Sequence, residues 1–185
     1  MPSLTLEFLK LLHINFNEYN VFVETGTCVG GTIFAMEPFF QKLYTIEINR
    51  NLYLAAKDKY KGNRISFLYG NSGDEVKKIL PLLDNDKILF FLDAHASDSF
   101  TCDFSIYPFY TPLKEEIESI NSLCKNEALI IIDDCRDLGT KNNSNWEFIT
   151  EEKIREILSS RLTNLYYLDC GGFKNDRMII TISGV

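Results

Sequence analysis

Five continuous apolar runs of strand length, alternating with stretches of helical spacing, constrain the fold of this chain more than any other feature. The runs are residues 20–24 (NVFVE), 42–48 (KLYTIEI), 64–70 (RISFLYG), 87–94 (KILFFLDA) and 128–134 (ALIIIDD). They lack the in-out alternation of half-exposed strands and read as strands covered on both faces. Helical spacing occupies 30–41, 50–61, 73–83, 112–124 and about 150–162, with Thr111 as N-cap and Pro112 as first residue of the fourth helix. Strand and helix alternate, as they do in a doubly wound, mostly parallel α/β sheet. The last two runs, LYYLDCG and RMIITIS, are separated only by GFKND. That link is too short for a crossover and predicts an antiparallel hairpin at one edge, giving seven strands. Residues 1–16 read as a first helix rather than a signal peptide, because no basic region precedes the apolar residues.

A length of 185 residues fits a single domain, 1–185, with no linker, repeat or low-complexity tract. The net charge of −7 disfavours phosphate-backbone binding, so no nucleic-acid partner is expected. No apolar run approaches the ~20 residues that span a bilayer. Five cysteines without zinc-type spacing read as reduced thiols, which predicts a cytoplasmic protein. A homo-oligomer is compatible with the sequence.

The chemistry concentrates where strands end. After the first strand comes Glu24-Thr25-Gly26-Thr27-Cys28-Val29-Gly30-Gly31. Glycines there let backbone N–H groups approach a ligand, and the next helix adds its positive N-terminus. The dinucleotide fingerprint GxGxxG is not met, and Glu24 would repel a pyrophosphate. A ligand with an ammonium group and no phosphate, such as S-adenosylmethionine, suits the stretch better. The second strand ends in Glu47, 23 residues after Glu24, at the distance from which an acid accepts ribose hydroxyls. The third ends in Gly70-Asn71-Ser72.

Taken in order, these features resemble the class I S-adenosylmethionine-dependent methyltransferases over nearly the whole chain. The resemblance implies the Rossmann-like methyltransferase fold. It also implies a cofactor site in which Glu24, Thr25, Gly26, Thr27, Gly30 and Gly31 line the methionine end, Glu47 holds the ribose, Asn71 and Ser72 border the adenine, and Asp93 adjoins.

A second group lies on the fourth and fifth runs: Asp93 and His95 in FFLDAHAS, and Asp133 with Asp134 in LIIIDDCRD. If those strands are neighbours, the three carboxylates converge on one rim. Carboxylates ~4 Å apart repel by about 4 kcal/mol at an effective dielectric near 20, so the cluster asks for a cation or a shared proton. Oxygen ligands favour Mg²⁺, Ca²⁺ or Mn²⁺. This part resembles the metal-dependent O-methyltransferases of the macrocin type and, more distantly, the catechol type. The resemblance implies a site for a divalent metal, Mg²⁺ first, held by Asp93, Asp133 and Asp134. His95 stands where those families often carry a second acid, which leaves it as metal ligand or as catalytic base beside Asp93.

The predicted function is methyl transfer from S-adenosylmethionine to a hydroxyl of a small, sugar-like acceptor. Its rivals are a non-catalytic cofactor-binding module of the same fold and a metal-dependent hydrolase or hydroxylase. The aromatic loop 96–111, with Phe100, Phe104, Tyr107, Phe109 and Tyr110, and Trp146 beyond it, read equally as lid packing or as acceptor contacts.

Overall fold

A computed structural model describes residues 4–96, 111–141 and 146–185, so the aromatic loop lies almost wholly outside the described residues. The chain opens with a single helical turn, α1 (Leu6–Leu9), capped by Thr5, whose hydroxyl accepts from the Phe8 N–H. The longer first helix expected from sequence does not form. The Asn15 side chain accepts from the Asn17 N–H and starts a separate 3-10 turn at Phe16–Glu18, a local hydrogen bond that competes with helix continuation.

Strand and helix then alternate: β1 (Val21–Thr25), α2 (Gly31–Met36), β2 (Lys42–Glu47), α3 (Arg50–Lys59), β3 (Ile65–Tyr69), α4 (Ser72–Ile79), β4 (Ile88–Leu92), α5 (Leu113–Leu123), β5 (Ala128–Ile132) and α6 (Glu151–Leu158). Two helices stop early at prolines. Pro38 and Pro81 lack the N–H that an α-helix needs, so α2 and α4 pass into 3-10 turns at Glu37–Phe39 and Leu80–Leu82. Pro112 is the N-cap of α5 rather than its first residue, with the Thr111 hydroxyl accepting from the Leu113 N–H at 3.2 Å.

The chain ends in the antiparallel pair β6 (Leu162–Cys170) and β7 (Phe173–Ile182). The turn is tighter than GFKND suggests. Gly171 and Gly172 both take positive φ, as a two-residue hairpin turn requires, and Phe173 already pairs with Cys170. Residues 173–176 are strand.

The sheet order is β3-β2-β1-β4-β5-β7-β6, parallel from β3 to β5 and antiparallel at β7 and β6. Alternate residues of the central strands face two separate cores. In β4, Ile88, Phe90 and Leu92 pack with Val76, Ile117 and Ile154 of α4, α5 and α6, whereas Leu89 and Phe91 pack with Phe8, Ile33 and Met36 of α1 and α2. Burial on both faces explains the unbroken apolar runs; each such side chain contributes about 1.5–3 kcal/mol. Strand order reverses between β1 and β4, so the chain leaves those neighbours toward opposite faces and opens a crevice beyond their C-terminal ends. Among the described residues no helix is long and apolar enough to cross a membrane.

Candidate functional site

The loop after β1 is folded against β2. Gly26 and Thr27 donate their N–H groups to the Ile46 carbonyl, and the Gly30 N–H closes a turn on the Thr27 carbonyl at 2.8 Å. Gly26 has φ +86°, and a Cβ there would lie 2.5 Å from the Asp93 carbonyl oxygen. The exit of β4 therefore requires a glycine here. Gly30 is the left-handed N-cap of α2, and Gly31 is the first helical residue.

Glu47 organises this loop. One carboxylate oxygen accepts from the Cys28 N–H and the other from the Asn49 N–H, each at 2.8 Å. The first bond holds Cys28 at φ +48°, a conformation that non-glycine residues seldom adopt. Burial raises the Glu47 carboxyl, and the backbone N–H donors work against that rise. Glu24 lies under the loop, only 1% exposed, and accepts from the Thr45 hydroxyl at 2.6 Å, while Thr45 also meets Thr27 at 2.6 Å. Burial pushes Glu24 well above the usual carboxylate range. It supports the glycine turn through Thr45 and Thr27.

On the third strand's side, Asn71 caps α4 through the Asp74 N–H. Ser72 is buried and donates a short hydrogen bond to Glu116. Glu116 escaped the sequence reading. It is 1% exposed, burial raises it to about 7, and it accepts from both Ser72 and Thr25, so it ties β1, α4 and α5 together. A signal was present: Leu113, Glu116, Ile117 and Ile120 recur at the spacing of one helix face.

The exits of β4 and β5 bring together Asp93, His95 and Asp134. His95 Nε2 lies 2.5 Å from Asp134 Oδ2, and Nδ1 lies 3.3 Å from Asp93 Oδ1. Burial alone would lower the imidazole, but the Asp134 hydrogen bond and the charges of Asp93, Asp134 and Asp133 outweigh it and raise His95 to about 9. Burial raises Asp93, with the His95 charge opposing, whereas Asp134 is held below the usual range because His95 and Arg136 outweigh its own burial. The shorter contact and the lowered pKa both pair the imidazolium with Asp134. Trp146 is buried with its ring edge-on to His95, centroids 6.1 Å apart.

Asp133 goes elsewhere. Its two oxygens receive Arg177 Nε at 3.0 Å and Nη2 at 2.8 Å. The guanidinium is buried between the rings of Phe8, at 4.4 Å, and Phe91, at 5.3 Å. The set of three acids expected from sequence is thus divided: β5 sends Asp133 toward Arg177 and Asp134 toward His95. Asp133 still shapes the site, because its Oδ1 accepts the Asp134 N–H at 3.1 Å while Asp134 sits in the left-handed region at φ +55°. Asp93, His95 and Asp134 each offer a ligand atom, all within 4.8 Å of one another. Two carboxylates and an imidazole at that spacing suit a single divalent cation.

The sequence matches no protein-family model and no curated protein. Solved structures do match. One, described as a caffeoyl-CoA O-methyltransferase from Staphylococcus aureus, is 20% identical and aligns over 99% of this chain and 86% of its own with a TM-score of 0.61. A second, described as an S-adenosylmethionine-dependent methyltransferase from Listeria monocytogenes, is 12% identical over 97% and 96% with a TM-score of 0.56. A third, the N-methyltransferase NodS from Bradyrhizobium japonicum in complex with S-adenosyl-L-homocysteine, is 12% identical over 90% and 78% with a TM-score of 0.52. At such identities the likeness is one of fold, and the chain has the fold of the class I S-adenosylmethionine-dependent methyltransferases.

Proposed function

We propose that this chain transfers a methyl group from S-adenosylmethionine to a hydroxyl of a small molecule, with a divalent cation at Asp93, His95 and Asp134. The observation that carries the reading is the double position of Asp93. Its backbone abuts Gly26 in the glycine loop, and its side chain meets His95 in the acidic cluster. Cofactor loop and cluster therefore share one residue at the β1/β4 crevice, where ligands of doubly wound sheets bind.

The Gly26–Gly30 turn would take the methionine end of the cofactor against its backbone, and Glu47, already fixed by two N–H donors, would offer its remaining lone pairs to the ribose. When bound, the cation would orient the acceptor and lower the pKa of its hydroxyl. In the cation-free protein at neutral pH, His95 is an imidazolium donating to two carboxylates, which removes it as a base there. Asp93 suits that role better: one oxygen would hold the cation while the other, on a side chain that keeps 20% exposure, takes the acceptor's proton. An oxygen acceptor must lose a proton to become a good nucleophile, whereas a neutral amine attacks before losing one. The acids therefore support O- over N-methylation.

The test is transfer of label from methyl-tritiated S-adenosylmethionine to glucose, glucuronate, catechol and 3,4-dihydroxybenzoate, in Mg²⁺, Mn²⁺ or EDTA. Label should enter a hydroxyl acceptor only with a cation present. Equal transfer in EDTA would remove the metal from the mechanism. The same protein failing to bind S-adenosylhomocysteine would remove the cofactor.

A further inference from the structure

Beside the acidic cluster stands a cation that the proposed chemistry does not use. Arg136 follows β5 by four residues, and its Nη1 lies 2.5 Å from Asp134 Oδ1. It also makes a short ion pair with Asp176, whose carboxylate accepts the Arg136 N–H at 3.1 Å as well. The guanidinium carbon sits 4.6 Å over the ring of Phe173. Asp176 and Phe173 both come from the start of β7, the stretch that sequence patterning assigned to a turn.

These contacts fix the arginine without using it up. They engage Nη1, the backbone and one face of the guanidinium, and among the described residues Nε and Nη2 have no partner. The Arg136 side chain remains 40% exposed. Arg177, by contrast, is 1% exposed and both of its contacts to Asp133 are enclosed, so of the two arginines Arg136 is the one whose guanidinium can reach a ligand. Here an aromatic that is itself 53% exposed supports the guanidinium at the surface. Arginine held in one orientation loses little freedom on binding and presents paired N–H donors that match a carboxylate or phosphate. One carboxylate, Asp134, separates it from His95.

We infer that Arg136, stacked on Phe173 and pinned by Asp176, is the specificity residue of the acceptor site and selects acceptors that carry an anionic group, carboxylate or phosphate, near the hydroxyl to be methylated. This rests on the methyl-transfer reading for its meaning, but not for its test. In a protein of net charge −7 an anionic acceptor meets general repulsion, so a dedicated local cation is what would let it dock.

The test measures binding. Glucuronate, glucose 6-phosphate and glucose, and separately 3,4-dihydroxybenzoate and catechol, are titrated calorimetrically into the protein with and without saturating S-adenosylhomocysteine. Wild type should bind the anionic probe of a set more tightly than the neutral one by about ten- to a hundredfold. Whether glucuronate or glucose 6-phosphate leads identifies the anion. Arg136→Met should collapse that ratio to near one, Arg136→Lys should keep part of it, and Phe173→Ala, which retains the charge but frees the side chain, should fall between. Using the ratio within each variant cancels any general loss from disturbing Asp134. Anionic and neutral probes binding alike to wild type, or a ratio unchanged in Arg136→Met, overturns the inference while leaving the cofactor reading intact. Failure of S-adenosylhomocysteine to bind wild type overturns the cofactor reading, and the probe ratios in the cofactor-free protein still decide the role of Arg136.

Discussion

Removing one charge from the Asp133–Arg177 pair separates two roles for Asp133 by the sign of the effect. The side chains are 8% and 1% exposed, joined by two hydrogen bonds, and the guanidinium is enclosed by Phe8 and Phe91. Asp133→Asn keeps the shape but leaves a buried cation without its counter-charge, a change that costs about 3–5 kcal/mol. For a chain of this size each kcal/mol moves the melting temperature by about 2–4 °C, so the variant should melt roughly 6–20 °C lower. Arg177→Met should cost a similar amount by stranding Asp133. The double variant Asp133→Leu/Arg177→Met, which removes both charges and keeps the volume, should cost much less than the sum. Urea unfolding in EDTA measures all three. If Asp133 instead belonged to the crowded acids of the cation site, neutralising it would relieve repulsion and the metal-free protein would become more stable. A rise in stability for Asp133→Asn, or strictly additive losses, refutes the ion-pair account.

Three further outcomes follow from the same geometry. Gly26→Ala should destabilise the cofactor-free fold by more than about 2 kcal/mol, because it forces a side chain into the left-handed region and against the Asp93 carbonyl; urea unfolding without ligand checks it. Glu116, raised by burial to about 7 from 4.5, binds its proton more tightly when folded, so its contribution is complete below about pH 4.5 and is lost as pH rises through 7. Glu116→Gln should flatten that loss and unfold at higher urea than wild type at pH 8. His95, raised to about 9 from 6.5, contributes stability that is complete below 6.5 and lost as pH rises through 9, and NMR of its imidazole in the metal-free protein should show that late titration.

The strands were legible because both sheet faces are covered, which writes burial into every residue of β1, β4 and β5. The rim was legible in part, since residues that end parallel strands must meet there. Partners across the sheet were not legible. Nothing near Asp133 in sequence announces Arg177, 44 residues later on an antiparallel strand, and successive residues leaving a strand point to opposite faces, which separates Asp133 from Asp134. Glu116 drew no reading in LKEEIESI, because the packing of α4 on α5 that encloses it is a tertiary contact. The hairpin turn was misplaced because Asp176 and Asn175 have turn composition, yet Asp176 is buried by its bonds to Arg136.

The central claim is that the glycine loop and Glu47 form a site for S-adenosylmethionine. Calorimetric titration of wild type and Glu47→Ala with S-adenosylhomocysteine and with NAD tests it most directly. The account predicts saturable binding of S-adenosylhomocysteine, no heat from NAD, and a loss of about ten- to a hundredfold in Glu47→Ala, from charge-assisted hydrogen bonds to the ribose and from release of the Cys28 N–H. Binding of NAD without S-adenosylhomocysteine, or equal affinity in wild type and Glu47→Ala, would contradict it.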